Sequence, residues 1–226
     1  MPGFKNFTYR PAAFLGTFMQ IAPTRPETEI GVGPKMISFT EELSREHAVL
    51  ERILMAVDSY LVRADGDVNV DLSPIRLAAQ MIDESVVNHH MRYEEKYLYP
   101  RFSRGKMASF ANVLQKQHDQ AREANREIMR LCGEGRAADR DAMDEIIFLC
   151  RSMKDLLTAH AAWEETVLFT SVYNKCSEND IMGLNQNMRE LEEQFEKKGG
   201  MDKVYGDLSR LEQMCGTDDP TVFNLR

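Results

Sequence analysis

From Ser38 onward, apolar residues recur every three or four positions, while proline and glycine nearly vanish. That spacing predicts amphipathic helices, and no stretch alternates with the period of two that a strand would need. Leu43, His47, Leu50 and Leu54 share one face of a first helix running to about Arg63, with Ser38 and Glu41 at capping-box spacing before it. The segment "ADGDVNVDLSP" interrupts the pattern. Ser73 as N-cap and Pro74 as first helical residue then open a second helix, through Met81, Ile82, Val86, His90, Glu94 and Tyr97 to about Pro100. A third covers about 106–132, stopped by Gly133 and Gly135, and a fourth about 139–175, with Ile146, Leu149, Met153, Leu156, His160, Glu164 and Leu168 in one stripe. Four long helices with short connections predict an all-α fold, an up-down-up-down four-helix bundle over 38–176. Two further helical pieces, about 178–197 and 201–214, make a C-terminal extension over 177–226, split by Gly199 and Gly200. Residues 1–37 carry five prolines and read as an irregular N-terminal arm, whose Phe4, Phe7, Tyr9, Phe14 and Phe18 are expected to pack on the domain.

Composition narrows the partners. A formal charge of -8 disfavours nucleic acid and anionic lipid, which a polyanion repels. No run of 18 apolar residues exists, and the apolar N-terminal stretch is broken by Arg10, Pro11 and Gly16, so neither a membrane span nor a signal peptide is expected. Cys132, Cys150, Cys176 and Cys215 are widely separated with no C-x-x-C pair, consistent with reduced thiols in a cytoplasmic protein. Asp65, Asp67, Asn69 and Asp71 alternate like a calcium loop, but Val70 stands where glycine is required and Arg76 where a bidentate glutamate is required. A polar turn explains these residues.

The chemistry lies in the histidines. His90 and His160 each begin the pattern H-x-x-x-E-E, in "HHMRYEE" and "HAAWEE". His47 precedes His90 by 43 residues, and His118 precedes His160 by 42, with only 28 between His90 and His118. In an antiparallel bundle these steps place all four at one level, on the order of 16 Å from one end and 26 Å from the other at the α-helical rise. The i,i+4 spacing adds Glu94 and Glu164 to the same faces. Four imidazoles and two carboxylates in a core layer would be costly unless cations neutralise them, and this donor set suits iron, manganese or zinc. Glu94 and Glu164 are each placed to bridge two ions. Glu95 and Glu165 point further round, as solvated or supporting groups. His89, Glu51 (one turn after His47) and Tyr97 (one turn beyond Glu94) are further candidates, as ligands or as groups supporting them. Tyr93 and Trp163 are also expected near the ligands.

"HHMRYEEKYLYPRF" and "HAAWEETVLF" resemble the H-x-x-x-E-E-x-x-L-[YF]-P signature of hemerythrin-like (HHE cation-binding) domains, with His47 and His118 at that family's single histidines, over about residues 38–172. The resemblance implies two non-haem Fe ions, oxo- or hydroxo-bridged, and a small partner: O2, NO or peroxide. Members of the family carry or sense O2, react with NO or peroxide, sense iron or repair damaged iron centres. This chain departs from the oxygen-carrier pattern twice. Arg122 follows His118 by four where carriers have a histidine, and the fourth helix has H-x-x-x-E where carriers have H-x-x-x-x-D. The repair proteins' cysteine-bearing N-terminal region is absent from residues 1–37. The favoured expectation is therefore a protein that binds O2 or NO for sensing, storage or scavenging. An enzyme reducing peroxide or NO, an iron donor in repair and a metal-dependent docking module remain alternatives.

Overall fold

A computed structural model of the chain describes residues 37–64, 70–133 and 139–223. The N-terminal arm with its five aromatics, and Asp65, Asp67 and Asn69 of the calcium-like loop, lie outside these residues. The described chain is all-α, with no strand among the described residues.

Helix α1 spans Phe39–Arg63. It starts where Ser38 Oγ accepts the Glu41 N–H and the Glu41 carboxylate accepts the Ser38 N–H at 2.7 Å, the reciprocal cap expected from the spacing. Helix α2 is one continuous rod over 73–102, built from α, π and 3₁₀ segments. Its start differs from expectation. Ser73 is the first helical residue rather than the cap, and its N–H is taken by the Asp71 carboxylate at 2.9 Å. Helix α3 spans Gly105–Leu131, and helix α4 runs over 140–175 behind Asp139, whose side chain accepts the Ala142 N–H at 2.9 Å. Helix α5 spans Glu178–Glu196 behind a second capping box, Ser177 with Asp180, and helix α6 spans Gly200–Cys215. Between α5 and α6 the backbone turns at φ 105° and 52°, a left-handed path that glycine takes without strain at Gly199 and Gly200.

Helix α1 packs against α2 and α4, and α3 packs against α2 and α4. Helix α6 lies on α1 and α2, and α5 touches α1, α2 and α6. The C-terminal helices are therefore part of the core. Val204, Leu208, Leu211 and Cys215 of α6 join one apolar cluster with Ile53, Leu61, Ile82 and Ile146, while Leu184 and Met188 of α5 join a second with Phe39, Leu43, Tyr93 and Leu168. Tyr93, fully buried, donates its hydroxyl to the Leu184 carbonyl at 2.9 Å and fastens α5 to α2. Along α1, α3 and α4 the two clusters are separated by a buried histidine, His47, His118 or His160, and on α2 the buried His90 lies where the first cluster ends, between Val86 and Met91, one turn before Tyr93 of the second. The core is thus interrupted by a single polar layer.

Candidate metal centre

Helices α2 and α4 widen at that layer. The Tyr99 N–H reaches the Glu94 carbonyl and the Phe169 N–H reaches the Glu164 carbonyl, so both carboxylate-bearing turns close i→i+5. A longer π stretch, Ile82–His90, ends at His90. Such turns are rare and concentrate at functional sites. Here they occur at matching points of the two H-x-x-x-E-E repeats.

The six residues expected to meet do meet. His47 Nε2 lies 3.1 Å from His90 Nε2, and His118 Nε2 lies 2.9 Å from His160 Nε2. Glu164 Oε2 lies 3.3 Å from His47 Nε2 and 3.1 Å from His160 Nε2. Glu94 Oε2 is 3.4 Å from both His90 Nε2 and His118 Nε2. The donors form two groups, His47–His90–Glu94–Glu164 and Glu94–His118–His160–Glu164, each with ligand atoms within 4.8 Å of one another and each able to hold a metal ion. Both carboxylates belong to both groups.

Each imidazole is aimed from behind. Nδ1 of His47 faces Glu165 at 2.9 Å, Nδ1 of His90 faces Glu46 at 2.6 Å, Nδ1 of His118 faces Glu95 at 2.8 Å, and Nδ1 of His160 faces the Gln117 side-chain oxygen at 3.0 Å. These acceptors place a proton on Nδ1 and turn the Nε2 lone pair inward, the arrangement in which a histidine ligates metal. The second glutamate of each E-E pair thus serves the lone histidine of a neighbouring helix. Arg122 donates to Glu95 at 2.5 Å and pairs with Asp119, so the residue standing where carriers have a histidine supports the layer from outside.

Electrostatics fit a site for positive charge. Lone pairs facing one another near 3 Å repel unless a cation or proton lies between them. Burial pushes the imidazoles of His47 and His118 toward neutrality, yet hydrogen bonds to Glu164 and Glu165, and to Glu94 and Glu95, raise them to about 10 and about 9. Burial raises Glu164 too, but His160 and His47 hold it well below the usual carboxylate range. Glu94 Oε1 is fully buried with no hydrogen-bond partner among the described residues, and buried Glu164 Oε2 faces only the inward Nε2 atoms of His47 and His160, without hydrogen-bond geometry. An orphaned buried carboxylate oxygen is expensive, and coordination to a cation would satisfy both.

The structure brings a different tyrosine to the layer from the one the spacing favours. Tyr97 packs against Tyr93 beneath Lys96, away from the ligand atoms. Tyr99 instead donates its hydroxyl to Glu164 Oε1 at 2.6 Å, with Glu94 Oε2 at 3.4 Å and His118 Nε2 at 3.2 Å. In an α-helix residue i+5 lies about 140° round from residue i. The i→i+5 turn at Glu94 swings it back toward the layer. Trp163 is 53% exposed and edges against Phe110. Glu51 is in neither donor group, and His89 joins a separate cluster with Glu46 and Glu192. Glu46 and Gln117 were not legible as partners, since each aims a histidine on another helix.

The family model for the hemerythrin HHE cation-binding domain matches residues 38–172. The chain belongs to this family. The matched region of the hemerythrin domain holds all six inward-facing residues and ends within α4, so α5 and α6 lie beyond it, while the surfaces of α1 and α2 that they cover lie within it. Relatives include the uncharacterized proteins Rv1995 of Mycobacterium tuberculosis and Mb2018 of Mycobacterium bovis, each 25% identical over 201 residues, covering 88% of this chain and 77% of the relative. No solved structure matches the chain. No helix among the described residues is long and apolar enough to cross a membrane.

Proposed function

We propose that this hemerythrin-like chain is a non-haem di-iron protein that binds O2 or NO for sensing, storage or scavenging, its site carried by an up-down-up-down four-helix bundle over 38–176. His47 and His90 would hold one ion and His118 and His160 the other, with Glu94 and Glu164 available to both. The carrying observation is the doubled donor set, two histidines in each group and the same two carboxylates in both. Hemerythrin domains bind cations, and imidazole with carboxylate suits iron. Bound as a ferrous pair, the ions would supply the electrons for binding a diatomic ligand. The protein's own part is to hold four Nε2 atoms inward through their Nδ1 partners, and to enclose the layer between two apolar clusters that exclude water. Arg122 in place of a further histidine leaves fewer protein donors than a carrier has, and so room for an added ligand.

Tyr99 favours a second reading, reduction of peroxide or NO. Burial, then Glu94 and Glu164, push its phenol well above the usual tyrosine range, so it keeps its proton and stays a donor at the layer. Anaerobic loading with ferrous iron, followed by O2 and then NO, separates the two. Binding predicts two irons per chain and a reversible spectral change with each gas. Reduction predicts repeated turnover of peroxide or NO when a reductant is supplied. A chain that takes up fewer than two irons would defeat both.

A further inference from the structure

Outside the di-iron layer lies a second cluster, built from three helices: Glu46 of α1, His89 of α2 and Glu192 of α5. His89 Nε2 is 3.0 Å from Glu46 Oε1 and 2.7 Å from Glu192 Oε1. The His89 ring is buried and its plane is fixed by Phe195, stacked at 4.1 Å and 18°. Two carboxylate oxygens therefore converge on one nitrogen, which carries at most one proton. Even a fully protonated His89 balances only one of the two carboxylates. The excess is felt nearby: Glu42 is pushed up first by burial and then by Glu192 and Glu46, against the opposing pull of Arg45. Of the three, His89 also lines a cavity of about 480 Å³ between α2, α5 and α6, so the cluster borders a space that an ion could enter.

We propose that Glu46, His89 and Glu192 form a third cation site, a one-histidine, two-carboxylate triad for a divalent ion such as Mn2+, Fe2+ or Zn2+, with its remaining positions open to water. One nitrogen and two carboxylate oxygens on one side of an ion suit these borderline cations. The ion supplies the charge that a single proton cannot. It also adds a tether between the C-terminal helix α5 and helices α1 and α2. Glu46 is shared. Its Oε2 accepts from His90 Nδ1 at 2.6 Å, so an ion on Oε1 draws electron density from the carboxylate that aims His90. Occupancy of the outer site is thereby transmitted to one half of the inner one.

The test is equilibrium dialysis of the iron-loaded full chain against Mn2+, with Mn and Fe counted per chain by elemental analysis. Wild type is expected to hold three ions in total. Glu192 touches none of the six inner residues, so E192Q is expected to hold two, its affinity for the third ion falling at least tenfold while its iron content is unchanged. A wild-type total of two, or an E192Q variant that holds the third ion as tightly, overturns the proposal. Should E192Q lose helical content by circular dichroism, the wild-type chain still decides: the added Mn2+ must show imidazole-nitrogen coupling by pulsed electron paramagnetic resonance, and its absence rejects the site. Iron is counted separately, so a failure of the inner centre is told apart from a failure of the outer one.

Discussion

The two histidine pairs of the layer have the same inward face and different backs. His47 and His90 are aimed by two carboxylates, Glu165 and Glu46. His118 and His160 are aimed by one carboxylate, Glu95, already held by Arg122, and by the neutral amide of Gln117. The repeat also places Tyr99 and Phe169 at equivalent positions. Tyr99 stacks on His118 at 5.5 Å, and Phe169 stacks on His47 at 5.9 Å. Only Tyr99 carries a hydroxyl into the layer. Outer carboxylates raise the basicity of the imidazoles they hold. On the proposed di-iron reading the first pair should thus be the firmer holder, and the second, with its proton donor, the place where ligand and proton exchange.

The largest effect tests what the halves share. Because Glu94 belongs to both donor groups, E94A should lose both irons together, from two per chain to near zero by elemental analysis. Loss of one iron would mean that Glu94 serves a single half. Next, E46Q removes the anionic support of His90 and should weaken the first pair's ion by about 10–100-fold in a chelator competition. That narrows or reverses the order in which a chelator strips the two ions, which in wild type should begin with the second pair. Q117E should work from the other side, slowing release from the second pair. A smaller change comes from Y99F, which equalises the two aromatic positions. Iron content should stay at two and stability should fall by about 1.5–3 kcal/mol, the range for a hydrogen bond to a charged group, while the lifetime of the NO adduct shifts; an unchanged lifetime would remove Tyr99 from the chemistry. The smallest is S38A, at the cap of α1 and remote from either pair. It should cost about 1 kcal/mol and lower Tm by about 2–4 °C, with both chelation steps unaltered.

The layer itself was legible in the sequence, because steps of 43, 28 and 42 residues fix a common height once helices are antiparallel. The first capping box and the six helical spans followed from local signals in the same way. What escaped was set by neighbours in space. Ser73 looks like a cap, yet Asp71 takes its N–H. Tyr97 has the right spacing for a regular α-helix, but the i→i+5 turn beneath Glu94 selects Tyr99, and no periodicity of apolar residues encodes one widened turn. His89 sits beside His90 in sequence and faces Glu192, 103 residues away. That partnership depends on α5 folding back onto α2.

The widened turn at Glu94–Leu98 also makes the helix sensitive to reading frame. An i→i+5 turn accommodates one residue more than the rod would otherwise need. Deleting Lys96 would let the segment relax to ordinary winding with the residues after it still in phase, whereas deleting a residue from a regular turn of the same rod would rotate everything after it by about 100°. Glu94 would stay where it is, and the phenol would follow it by four residues on the same face, without the widened turn. The same would hold at Glu164–Leu168. In both places the chain length, and not only the identity of its donors, is part of the site's specification.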